Sequence, residues 1–212
     1  MPRSPTSLLW PDQGAWVIGV DEAGRGCLAG PVTAGAVCLR SPLTGLADSK
    51  ALTPKRRAAL FEPIQEASIW AVAHASADEI DQVNILQATF LAMTRAIEGV
   101  LAQLPSDACG EIWIDGNRLP RFERAGWHLK AYVGGDASHA PIAAASILAK
   151  ETRDAWMISQ ADIYPEYGFD VHMSYGTPAH LQALEAHGPC PLHRQTFAPV
   201  RRVIEQRRLG TA

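Results

Sequence analysis

The chain has 212 residues, 47% of them hydrophobic, with 19 Lys and Arg against 22 Asp and Glu for a formal charge of −3. That length suits one α/β domain with a sizeable core, and no apolar run approaches the roughly 20 residues that cross a bilayer. The charge balance excludes a surface coated in lysine, so a nucleic-acid partner must be drawn by local cations or bound metal ions.

Residues 1–14 lack a secretory signal pattern and read as a flexible leader before a domain over 15–200, with 201–212 as a basic tail. Trp16 to Val20 reads as a first strand that runs into Asp21-Glu22 and then Gly24-Arg25-Gly26. Neighbouring residues on a strand face opposite ways, so the two acids serve one site only where the strand breaks, and the glycines supply that break. Acids at a strand end beside a basic loop suit a metal site that handles phosphate. A solvated acidic turn is the plainer reading of such a pair on its own.

Val32 to Leu39 reads as a second strand, and Ser68 to Ser76 alternates like a third. Between them Thr53-Pro54 opens a helix, since threonine caps and proline suits the first turn. A longer helix follows Asp81: Leu86, Phe90, Met93, Ile97, Val100 and Leu104 make one apolar stripe of core packing that ends at Pro105. Glu111 to Ile114 is a short strand ending in Asp115-Gly116, and His128 to Val133 reads as another. Pro141 to Ile163 is a second long helix, and Pro178 to His187 a last one. Three leading strands suit an antiparallel meander, to which a helical crossover adds a parallel strand.

Asp115 repeats the logic of Asp21, an acid closing an apolar strand before glycine, although Asp-Gly turns are common. Ser146, Lys150 and Asp154 are spaced by four and share a helix face. The small apolar run before Lys150 suits a helix packed tightly on a sheet, with Lys150 and Asp154 at its rim; a surface ion pair is the plainer alternative. If Asp21, Glu22, Asp115 and Asp154 meet, their charges raise one another's pKa values unless a cation intervenes. Hard oxygen ligands select Mg²⁺ or Mn²⁺ over zinc, and two such ions can activate water and stabilise the leaving oxygen of a phosphodiester. Four scattered cysteines, with no Cys/His ligand spacing, argue against zinc and suit reduced thiols in a cytoplasmic protein. His172, His180, His187 and His193 lack the spacing of a zinc helix. Asp136, after two glycines, reads as a turn former. His193-Arg194 reads as an anchor for the last segment. Arg201, Arg202, Arg207 and Arg208 read as a solvated helix end or a duplex-contacting patch.

Taken together these residues resemble the type 2 ribonucleases H, the ribonuclease HII family, from about Trp16 to Val200. The resemblance is carried by Gly19-Val20-Asp21-Glu22-Ala23-Gly24-Arg25-Gly26, Asp48-Ser49-Lys50, Ile114-Asp115-Gly116-Asn117, Gly135-Asp136, Ile142 through Lys150, Arg153-Asp154, Tyr175-Gly176-Thr177 and His193-Arg194. It implies a ribonuclease H-like fold, a mixed central sheet flanked by helices with a small helical C-terminal extension. It also implies metal-dependent cleavage of RNA in RNA–DNA hybrids and on the 5′ side of single ribonucleotides in duplex DNA, leaving 3′-hydroxyl and 5′-phosphate ends. Removal of misincorporated ribonucleotides is the matching role, and it leaves room for a replication or repair protein as partner. By match of motif, Asp21, Glu22, Asp115 and Asp154 take the metal-binding roles. Gly24, Arg25 and Gly26 resemble the loop that reads the 2′-hydroxyl, Tyr175 the ring that packs on the following deoxyribose, and Lys50 and Ser146 phosphate contacts. Gly134 and Met173-Ser174 depart from the family's common Lys-Gly-Asp and Lys-Gly-Tyr. The rival reading is a non-catalytic binder of RNA–DNA junctions, which would be expected to lack a site acid.

Overall fold

The computed structural model describes residues 8–12, 14–46 and 52–210. Five strands form one mixed sheet: β1 (Trp16–Ala23), β2 (Val32–Leu39), β3 (Ser68–Ala75), β4 (Gly110–Asp115) and β5 (Trp127–Tyr132), in the order β3-β2-β1-β4-β5. The first three are antiparallel neighbours, and β4 and β5 add in parallel. This is the meander-plus-crossover expected from the strand lengths.

Helices cover both faces. On one, α3 (Ile85–Leu101) lays Ala88, Ala92, Met93, Ala96, Ile97 and Val100 against Ile18 and Val20 of β1 and against Ile112 and Ile114 of β4. The expected apolar stripe is this contact. The helix expected after Asp81 is divided, however. A capping box between Ser76 and Glu79 opens α2 (Ala77–Val83); Asn84 then takes a φ of 69°, and its side chain accepts from the amides of Leu86 and Gln87. Asparagine tolerates that left-handed backbone and caps well, so it ends one helix and starts the next.

On the other face lies α4 (Ala140–Ala161). It approaches closely because β1 and β2 carry glycines beneath it. A Cβ at Gly19 would stand 2.1 Å from the carbonyl carbon of Pro141, and one at Gly35 2.5 Å from the Ala145 oxygen. The run of alanines on α4 completes that fit, burying Ala143, Ala144, Ala145 and Ala149 entirely. The helix α1 (Pro54–Glu66), capped by Thr53, packs Ile64 beside α4.

The C-terminal part is helical: α5 (Phe169–His172), α6 (Pro178–His187) and α7 (Ala198–Gly210). The last of these runs across residue 200 and buries Val200 and Val203 with Leu28 and Leu184, so its arginine-bearing surface lies on a packed helix. Among the described residues no helix is long and apolar enough to cross a membrane.

Candidate active site

The register of the parallel pair β1 and β4 sets Val20 beside Ile114, so Asp21 and Asp115, one residue on, come side by side where β4 ends. Asp21 is buried, 4% exposed, and is hydrogen-bonded by Ser146 of α4 and by the amide of Glu22, 2.7 Å from Oδ1. Burial first, then the charges of Glu22 and Asp115, hold the Asp21 carboxyl well above the usual carboxylate range.

The strand ends at Ala23, immediately before Gly24 as the sequence suggests, but both acids lie inside it and keep opposite faces, paired with β2 through Ala23. Asp21 therefore faces α4. Glu22 faces α3, where it lines a cavity of about 320 Å³ with Arg25, Thr89, Phe90, Met93 and Asp115. The Glu22 carboxylate also accepts from Arg25 Nη1 at 3.0 Å.

Asp115 is fixed from the far side. Its Oδ1 accepts from the amide of Gly135 at 2.7 Å, in a single 3-10 turn over Gly135–Ala137 that leads into α4. The next residue is Asp136, itself 4% exposed. It follows directly on the residue whose amide holds Asp115, although in sequence it looks like a turn former.

Asp154 lies elsewhere. It is eight residues beyond Ser146 on α4, about 12 Å along the axis. Its Oδ1 takes a 2.8 Å bond from Lys150, and its charge acts on Tyr175. The Lys150 ammonium stands 5.7 Å from the centre of the Tyr175 ring. The face of Ser146, Lys150 and Asp154 is therefore shared as the spacing requires, but only Ser146 bonds to Asp21, while Lys150 and Asp154 accompany Tyr175. Lys50 lies outside the described residues.

Two buried guanidiniums hold the loop after β1. Arg194 donates to the carbonyls of Gly24 at 2.7 Å, Arg25 at 3.0 Å and Gly30 at 3.0 Å. Burial lowers its pKa to about 10, leaving it charged at neutral pH. Arg153, with no exposure, donates to the carbonyls of Pro31, Ala29 and Met173 and to Ser174 Oγ. These carbonyls satisfy donors whose burial would otherwise be costly. His193-Arg194 anchors the last segment as expected, through the Arg194 amide on the Leu28 carbonyl at 2.9 Å and a bridge of His193 to Ala29, and the same arginine's side chain holds the Gly24–Gly26 loop. Nothing in the sequence around Arg153 signals its burial.

Met173 and Ser174, the departures from the family pattern, both adopt left-handed backbone with φ of 49° and 64°. Strain of that kind costs on the order of 1 kcal/mol or more per residue. At Ser174 the hydroxyl offsets it, donating to the Ala29 carbonyl at 2.7 Å and accepting from Arg153.

Among the described residues no three His, Cys, Asp or Glu side chains already enclose a point that could hold a metal ion. The donors nevertheless fit a hard divalent cation. They are oxygens only, and the repulsion that raises Asp21 is the kind that such an ion relieves.

Residues 18–200 match the family model described as Ribonuclease HII. The chain belongs to the ribonuclease HII family. Similar curated members include the ribonuclease HII of Ralstonia nicotianae, 55% identical over 88% of this chain and 78% of the relative. That of an Acidovorax species is 51% identical over 96% of this chain and 97% of the relative. Among solved structures, the ribonuclease H2 of Pyrococcus horikoshii superposes with a TM-score of 0.69 at 26% identity, covering 91% of this chain and 98% of that one. Bst-RNase HIII, solved in complex with Mn²⁺, gives 0.71 at 18% identity over 91% of this chain and 70% of that one, which speaks to the fold. The protein is therefore a ribonuclease H, a nuclease acting on the RNA of RNA–DNA hybrids, with the ribonuclease H-like fold. Membership of this family of nucleases sets aside the reading of a non-catalytic binder.

Proposed function

We propose that this ribonuclease HII uses divalent cations, Mg²⁺ or Mn²⁺, to cut on the 5′ side of single ribonucleotides in duplex DNA as well as within RNA–DNA hybrids. The observation that carries the reading is the convergence of Asp21 and Asp115 on adjacent parallel strands where β4 ends, with Asp21 held protonation-prone by burial and its neighbours. Glu22 joins them from the α3 side once it exchanges the Arg25 guanidinium for an ion. The fourth carboxylate in this reading is Asp136, one residue from the amide that binds Asp115, rather than Asp154.

Bound there, two such ions supply a water nucleophile at neutral pH and charge neutralisation at the leaving oxygen. The chain's own residues do the positioning. Ser146 and the Glu22 amide orient the Asp21 carboxylate, and Gly135 orients Asp115. The Gly24–Gly26 loop, held by Arg194, presents backbone to a ribose 2′-hydroxyl, a group that both donates and accepts. Tyr175, 45% exposed, offers its ring to the deoxyribose that follows, with Lys150 and Asp154 beside it. Water adds to phosphorus, the bond to the upstream 3′ oxygen breaks, and that oxygen leaves as a 3′-hydroxyl opposite a 5′-phosphate. Removal of misincorporated ribonucleotides in the cytoplasm is the matching role. A replication protein is the class of partner to seek, since an Archaeoglobus fulgidus relative was solved as a PCNA:RNase HII complex.

The test is a duplex carrying one ribonucleotide, incubated with Mg²⁺, with Mn²⁺ and with chelator. Cleavage 5′ to the ribonucleotide only when metal is present supports the reading. Cutting in chelator, or cutting only of continuous hybrids, would reject it.

A further inference from the structure

Tyr175 follows two residues in left-handed conformation, yet its backbone is fixed at both polar atoms. Its amide donates to the His172 carbonyl at 2.9 Å, and its carbonyl accepts from the Thr177 amide at 2.8 Å and faces His180 Nδ1 at 2.9 Å. Behind His180 stands His193, with the two Nε2 atoms 3.1 Å apart. Both imidazoles are buried, at 0% and 2% exposure.

The protons in this pair can be assigned from the partners. The Cys190 amide donates to His193 Nδ1 at 3.1 Å, so that nitrogen carries no proton and His193 bears its hydrogen on Nε2. That hydrogen needs an acceptor, which His180 Nε2 supplies only if the His180 proton is on Nδ1. A carbonyl oxygen can only accept, so Tyr175 demands the same tautomer from the other end. Both ends of the chain fix one arrangement: Cys190 amide to His193, His193 to His180, His180 to Tyr175.

The surroundings keep it neutral and in place. Phe169 meets His180 edge-on at 5.6 Å, His172 stacks on it at 4.6 Å, and Tyr167 meets His193 edge-on at 4.9 Å. Burial and the neighbouring imidazole lower the pKa of His193. Tyr175 itself is 45% exposed beside Lys150, and its side chain also hydrogen-bonds Cys27. A rigid mount behind a half-exposed ring is what a preorganised contact to a ligand requires, because ordering the ring on binding would forfeit affinity.

We propose that His180 is a positioning residue for Tyr175, its single tautomer fixed by His193, and that its bond to the Tyr175 carbonyl sets the preference for a ribonucleotide followed by deoxyribose. The inference rests on the reading of Tyr175 as the sugar-packing residue.

The experiment compares two substitutions at one position. Asn at 180 keeps a donor where Nδ1 stood and can still bond the Tyr175 carbonyl; Gln keeps polarity where Nε2 stood and cannot. For each variant the cleavage rate on a lone ribonucleotide is divided by the rate on a continuous RNA strand. His180→Gln should lower that ratio about tenfold, within the range of a lost stacking contact, while His180→Asn keeps it near wild type. A merely structural histidine would lower both rates and the melting temperature in both variants and leave the ratio alone, and that result overturns the proposal. Imidazole ¹⁵N spectra of the wild-type protein decide the chain independently of activity. His193 protonated on Nε2 and His180 on Nδ1 support it, and any other assignment overturns it. Tyr175→Ala run alongside separates the two readings: an unchanged ratio there removes Tyr175 from substrate recognition, whatever the spectra show.

Discussion

A Cβ on Gly24 would stand 2.0 Å from Nε of Arg153, and the Gly24 backbone has a φ of +91°. The glycine is therefore demanded twice, by a backbone that L side chains rarely adopt and by a buried guanidinium in the space beside it. Gly26, two residues on, has no such neighbour and no positive φ. Gly24→Ala should lower stability by about 3 kcal/mol, with strain and displacement of Arg153 combined. Gly26→Ala should fold normally yet cleave a lone ribonucleotide poorly, since its cost falls on the approaching sugar. Thermal melts with cleavage assays on both variants check this. A Gly26→Ala enzyme with full activity would remove that residue from substrate reading.

Asp21 gives a prediction with a definite sign. A carboxyl held above its unfolded value of 3.8 binds its proton more tightly in the fold, so its ionisation at neutral pH costs stability. Asp21→Asn keeps an acceptor for Ser146 and removes that charge. In chelator it should melt at or above the wild-type temperature while cleaving almost nothing. Adding Mg²⁺ or Mn²⁺ should raise the wild-type melting temperature by mass action and leave the variant unmoved. A variant that still turns over would remove Asp21 from the metal centre.

The histidine chain predicts how stability responds to acid. His193 sits at about 4 in the fold against 6.5 in the unfolded chain, so the unfolded state binds the extra proton first. The stability due to the neutral imidazole is complete above pH 6.5 and declines as the pH falls towards about 4. The difference amounts to about 3 kcal/mol at most. Denaturant titrations across that interval should show the loss, and His193→Gln should flatten it.

Tyr175 is 45% exposed and its side chain hydrogen-bonds Cys27, so truncation removes part of its packing and that bond. Tyr175→Ala should lower stability by about 1–2 kcal/mol. It should cut lone-ribonucleotide cleavage tenfold to a hundredfold more than continuous-hybrid cleavage, roughly what stacking on a ring provides. Equal losses on the two duplexes would reject a role in junction reading.

Ser174 offers a paired comparison. Ser174→Ala keeps the left-handed backbone and loses the hydroxyl that bonds Ala29 and Arg153, so it should cost about 2 kcal/mol. Ser174→Gly loses the same bonds but relieves the strain, and should be the milder change. Denaturation midpoints of the two variants give the order directly.

Much of the sheet could be read from the chain because its strands alternate or run apolar between turn residues, and β2 and α6 fall at their expected bounds. The division between α2 and α3 could not, since the apolar stripe gives no sign of the φ at Asn84. Helical spacing placed Ser146, Lys150 and Asp154 on one face correctly. It could not say which turn of that face meets the acids, because that depends on where α4 crosses the sheet. The bond from the Gly135 amide to Asp115, beside Asp136, joins segments 20 residues apart, which no local pattern encodes. Arg153 and Arg194 look like ordinary surface charges in sequence. Their carbonyl partners lie more than 120 residues away in every case but Met173.

The helix α4 carries Ser146 at the carboxylates and Lys150 and Asp154 beside the tyrosine ring, and a continuous helix is stiff at a fixed 1.5 Å per residue. On the proposed reading it serves as a ruler between the place where a bond is cut and the place where the next sugar packs. One residue inserted between Ser146 and Lys150 would swing everything after it by about 100°, turning Arg153 away from the two loops it joins. Length can change in the connections of this enzyme, but within those few turns the distance from cut to junction is written into the helical repeat.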